Sequence, residues 1–189
     1  TQLFFDNAGD MTTGGIDFHY HPGDNYHITL HATASIHNES DNFEYIYEPT
    51  ADDSEVTFDS GRYTKNFDGE KVTGNALGFA INKRTRTDDF GLVLRLRSPG
   101  FRTSNGFETN NSTKWLKAGR GKTVYYNNHP KLLKTNYGIE TIYKTNYTGI
   151  IKKQELSFSS SSDLINGDFF KVSAEIETEN FRGYQFDIQ

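Results

Sequence analysis

Residues 16–37, IDFHYHPGDNYHITLHATASIH, decide the fold class and hold five of the chain's six histidines. Ile16, Phe18 and Tyr20 alternate with Asp17, His19 and His21. A second alternation sets Tyr26, Ile28, Leu30, Ala32, Ala34 and Ile36 against His27, Thr29, His31, Thr33, Ser35 and His37. A period of two is the signature of a strand with one apolar and one polar face. Pro22, Gly23, Asp24 and Asn25 between the two runs are turn formers: Pro presets φ, Gly accepts positive φ, and Asp and Asn fold back onto their own backbone. The stretch therefore predicts a β-hairpin. Pairing His21 with His27 puts Tyr20 with Ile28 and Phe18 with Leu30 on one face, expected to be buried together. A slip of one residue would mix the faces, so the apolar face selects this register. The polar face then carries His19, His21, His27 and His31, with Asp17 beside them.

The chain has 189 residues, no cysteine and 14% aromatic residues. That length is enough for one domain with a core of its own, without covalent staples. Abundant Thr, Ser, Asn and Gly, with the aromatics, favours extended structure broken by turns over helices. No apolar run reaches the roughly 18 residues of a helical membrane span, and no signal peptide is visible. Net charge is −5, which argues against general nucleic-acid binding. The charge is unevenly spread: residues 83–134 hold 12 Lys/Arg against 3 Asp/Glu, and residues 1–82 hold 3 against 14.

Further strands are expected around Leu3–Phe5, Phe43–Tyr47, Leu77–Ile81, Leu92–Leu96, Val124–Tyr126, Leu156–Phe158 and Phe170–Ile176, the last closing a hairpin with Tyr184–Ile188. Residues 6–15, 99–113 and 159–162 read as polar connections, and Gly119-Arg120-Gly121 as a turn. Lys134-Thr135-Asn136-Tyr137 recurs as Lys144-Thr145-Asn146-Tyr147. Short strands with polar turns throughout predict an all-β chain, an antiparallel β-sandwich or jelly roll with little or no helix, as one domain over residues 1–189.

Two residue sets could carry function. His19 and His21, two apart on one strand, leave the same face roughly 7 Å apart. With His27 they could meet a divalent transition metal, with Asp17 binding or orienting one ring. The second set is basic and aromatic: Trp115, Arg95, Arg97, Arg102, Lys114, Arg120, Tyr125 and Tyr126. Guanidinium pairs with carboxylate or sulfate in a bidentate fork and aromatic rings stack on sugars, so a patch of these residues would suit an anionic glycan or an acidic neighbouring copy. Gly119-Arg120-Gly121-Lys122-Thr123 lacks the first glycine and the strand-to-helix setting of a phosphate loop. No serine elbow is present, and no cysteine nucleophile is possible.

The expectation is thus a non-enzymatic, extracellular or surface-exposed attachment domain of an adhesin, phage or virus, secreted and binding a receptor, a glycan or copies of itself. It has no nucleic-acid partner and no membrane span. The alternatives are a metal-dependent jelly-roll or carbohydrate-active enzyme, and a structural subunit of a pilus, fibre or shell.

Overall fold

The computed structural model describes residues 9–39, 57–59, 61–64, 69–102 and 111–180. The chain is all-β and antiparallel, as the alternation predicts, with no helix among the described residues. Eight strands form one sheet: β1 (Gly9–Tyr20), β2 (Tyr26–Glu39), β5 (Lys71–Arg84), β6 (Asp88–Arg97), β7 (Thr113–Tyr125), β8 (Leu132–Thr145), β9 (Ile151–Leu164) and β10 (Phe169–Glu179). They lie in that order, so β2 pairs across to β5 and the other strands of the sheet pair with their neighbours in sequence. Two short strands, β3 (Thr57–Phe58) and β4 (Tyr63–Thr64), pair separately. The expected strands at residues 3–5, 43–47 and 184–188 lie outside the described residues.

The strands are longer than the alternation alone indicated. Residues 9–15 belong to β1 rather than to a connection. Gly119-Arg120-Gly121 lies inside β7, and residues 159–162 lie inside β9. The serines of that run pair with β8: Ser161 lies opposite Asn136 and Ser159 opposite Gly138. Asn136 Nδ2 donates to Ser161 Oγ at 3.3 Å. Serine and glycine weaken strand propensity, but a two-sided ladder outweighs that.

The turns are built by local side-chain caps. At residues 85–88 the Thr85 hydroxyl accepts from the amides of Asp88 (2.9 Å) and Thr87 (3.3 Å). After β7, His129 Nδ1 accepts from the Leu132 amide at 2.9 Å. Between β8 and β9, Asn146 Oδ1 accepts from the Ile150 amide at 2.7 Å, with Gly149 at φ +88°. Positive φ of this kind is nearly free only for glycine.

The contacts divide the chain into two compact units. One gathers the described parts of residues 1–16, 31–77 and 96–113. Among its described residues Val72, Tyr63 and Phe101 are buried, and so is Ser35. The Tyr63 phenol accepts from the Thr73 amide at 3.2 Å. The Arg102 amide donates to Ser35 Oγ at 3.1 Å. Gly74 lies against the Phe101 backbone and Gly100 against Thr73 O, with no room for a Cβ at either. The other unit gathers residues 17–30, 78–95 and 114–189, in their described parts. It holds nearly all the residues expected to carry function.

Candidate functional site

In the second unit the strand registers fix which residues share a face. Gly119 lies opposite Glu140 and Gly121 opposite Gly138. Glu140 and Gly138 in turn lie opposite Ser157 and Ser159, and those opposite Glu175 and Ser173. Opposed residues point the same way. Trp115 and Lys117 therefore join a face of Gly, Ser, Asn and charged residues. Three contacts extend it to β5 and β6. The Arg95 guanidinium lies over the Trp115 ring at 5.1 Å. The Asp89 carboxylate stands against Gly121, where a Cβ would collide with it, and Asn82 Oδ1 faces Gly91. In the hairpin, His21 Nε2 and His27 Nδ1 are 3.0 Å apart, and the His19 and His27 rings meet edge-on at 6.1 Å.

The opposite face mixes apolar residues with Lys114, Arg120, Lys122, Thr135, Thr141, Gln154, Ser160 and Ser162. It carries Leu116, Ala118 and Val124 of β7, Tyr137, Ile139 and Tyr143 of β8, Leu156 and Phe158 of β9, and Phe170, Val172 and Ile176 of β10. Phe18 and Tyr20 lie together on β1, with ring centroids 6.2 Å apart. Burial of this face was the expectation for Phe18 and Tyr20, and it is not met: both are 52% exposed. Ile139 is 53% exposed, Phe158 46% and Ile176 73%. The parity of the hairpin is as read from sequence; what differs is that among the described residues no second layer covers the apolar side.

The polar face is open and grooved. A groove of about 770 Å³ runs over Asn82, Asp89, Gly91, Lys117, Gly119, Gly121, Asn136, Gly138, Glu140 and Ser157, Ser159 and Ser161. Its room comes from missing side chains: four glycines and three serines stand where larger residues would fill it. Opposite charges are paired along the same face. Lys117 Nζ lies 2.7 Å from Glu140, and Lys153 Nζ lies 3.0 Å from both Glu155 and Glu177. The hydrogen bonds that the Lys153 ammonium donates to Glu155 and Glu177 push its pKa up. Lys153 holds the Glu177 carboxyl below its usual value, whereas the negative Glu155 raises that of Glu175.

The basic and aromatic residues named from sequence do not form one patch. Arg95, Trp115 and Tyr125 are on the polar face, with the Arg86 guanidinium over the Tyr125 ring at 4.6 Å. Lys114 and Arg120 alternate with Trp115 and so fall on the apolar face, Lys114 with its ammonium 4.7 Å from the Tyr147 ring centroid. Tyr126 follows the end of β7 and packs on His129, with ring centroids 5.7 Å apart. Arg97 and Arg102 belong to the other unit. There Arg102 Nη1 donates to the Pro99 and Phe101 carbonyls at 2.9 and 3.2 Å, which holds the bend after β6. Sequence reasoning missed the Gly/Ser groove, because each of its residues alone reads as a turn former. The available signal was their parity: Ser157, Ser159 and Ser161 recur at every second position.

No known protein family, curated protein or solved structure matches the chain.

Proposed function

We propose that this chain forms part of the wall of a membrane-spanning β-sheet channel, its apolar face against lipid and its polar groove lining a path for small polar solutes. The observation that carries the reading is the exposed apolar face of the second unit, backed on every strand by a polar one. Four further features support it. β7, β8, β9 and β10 have 13, 14, 14 and 11 residues, enough for a tilted strand of about 9–11 residues to cross a bilayer. The strands are hydrogen-bonded in the order β1-β2-β5-β6-β7-β8-β9-β10, which pairs the inner strands on both sides, as hydrocarbon demands, and leaves the edges of β1 and β10 to further strands of the wall. Short turns at residues 21–25, 85–87, 126–131, 146–150 and 165–168 join successive strands of the sheet, as the tight turns of outer-membrane-type barrels do. Exposed aromatics of the apolar side flank the strand ends: Tyr20, Tyr26 and Phe170 beside the short turns, and Tyr143 at the other end of β8, where amphipathic rings favour the interface.

No helix among the described residues is long and apolar enough to cross a membrane, but strands cross by alternation, which a run-length criterion does not register. Lys114, Arg120 and Lys122 interrupt the apolar face. Lys114 and Lys122 lie toward the ends of β7, and their aliphatic stems can run along the apolar surface while the charge reaches the interface; Arg120 stands near the middle of β7, opposite Ile139, and is the costliest residue of that face in lipid. The attachment reading has less support, because the basic residues it needs are divided between the faces. The reading keeps a surface location and places it in a bilayer.

The test is reconstitution. The chain, refolded with phosphatidylcholine vesicles, should float with them through a density step and render them permeable to small sugars. Gly121→Trp and Gly138→Trp, which fill the groove, should float equally and pass sugar several-fold more slowly. A chain that remains in the dense, lipid-free fraction contradicts the proposal.

A further inference from the structure

The β1–β2 hairpin holds two imidazoles joined by a hydrogen bond between His21 Nε2 and His27 Nδ1 at 3.0 Å. We propose that His21 and His27 form a cis bis-histidine site for a tetragonal divalent metal, copper(II) before nickel(II), on the polar face of the sheet. The argument is geometric and independent of the membrane reading.

His21 Nε2 and His27 Nδ1 are 3.0 Å apart, and their ring centroids are 4.3 Å apart at an interplanar angle of 69°. Two nitrogens at about 2.0–2.1 Å from one ion subtend roughly 94° when separated by that distance. This is the cis angle of a square-planar or tetragonal ion, and it is well short of the tetrahedral angle zinc prefers. Copper(II) also heads the affinity order for nitrogen sites. Both histidines are exposed, so the rings are free to turn out of their hydrogen bond onto an ion, with the shared proton moving to the far ring nitrogen. The backbone is well placed to hold the pair, since the turn between them closes through Gly23 at φ +78°. The Asn25 carbonyl accepts from the Arg84 amide at 2.8 Å, tying the turn to β5. His19, with its ring 6.1 Å from that of His27, stands next on the same face, outside the pair.

His129 provides the internal control. Its Nδ1 is occupied by the amides of Leu132 and Lys131, and it has no histidine neighbour. The folded chain, titrated with copper(II) at neutral pH, should bind one ion with the electron paramagnetic resonance pattern of at least two equivalent nitrogens. His27→Ala and His21→Ala should each weaken binding at least about tenfold and remove one nitrogen from the pattern. His129→Ala should change neither. Circular dichroism of each variant confirms that the sheet is intact. Undiminished affinity with an unchanged nitrogen pattern in both His21→Ala and His27→Ala overturns the proposal, as does loss on replacing His129 instead.

Discussion

At the scale of single residues, this chain places glycine and charge with different purposes in its two units. Gly74 is closed in by the Phe101 backbone, beside the buried Val72. Gly74→Val has no space to expand into, so chemical denaturation should show a loss of about 1–3 kcal/mol. Gly121 faces a carboxylate and Gly138 the Ser159 hydroxyl, and their service is to leave the groove open. The carboxylates of β10 give a prediction with opposite signs. Glu177 is held low by Lys153, so its stabilisation is present above the ordinary carboxylate range and is lost as pH falls through its lowered value. Glu175 is raised chiefly by Glu155, so its ionised form is unfavourable at neutral pH and acidification relieves it. Thermal melts should therefore show Glu175→Gln more stable than the parent at neutral pH and Glu177→Gln less stable. Both differences should shrink below the carboxylate range and in high salt, because these groups are exposed and screened.

At the scale of elements, the alternation in residues 16–37 led correctly to a hairpin that gathers His19, His21 and His27: His21 meets His27 as parity requires. The strand at residues 92–96 and the all-β class were legible in the same way. Strand length was not. Gly119, Gly121 and the serines of β9 are turn formers by composition, and only pairing on both sides makes them strand. The fate of the apolar face was not legible either, since alternation says which residues share a side and nothing about what lies against it. Phe18 and Leu30 share that side by parity, yet Phe18 stays half exposed. The basic cluster failed to assemble for the converse reason: Lys114 and Trp115 are adjacent in sequence and so point apart. The two faces make a prediction for paired substitutions on β8 and β9. Ile139→Lys should cost about 2–4 kcal/mol of bilayer insertion if it sits near mid-membrane, and Ser159→Lys on the other face should cost little. Flotation with vesicles in graded urea would read the difference.

At the scale of the whole molecule, the account rests on one division: a sheet whose apolar side is solvated by lipid and whose polar side is solvated by water. The chain has no cysteine, so single cysteines carrying an environment-sensitive fluorophore can be placed without background. The most direct measurement labels positions 137, 138, 139 and 140 on β8 and 156, 157, 158 and 159 on β9, one at a time, in chain reconstituted with vesicles. The account predicts emission that alternates along each strand. Labels at 137, 139, 156 and 158 should shift to the blue and be quenched by brominated acyl chains. Labels at 138, 140, 157 and 159 should stay red and be quenched by iodide from the aqueous phase. Emission that is uniform along both strands, or apolar-side labels reached by iodide and untouched by brominated lipid, would contradict it.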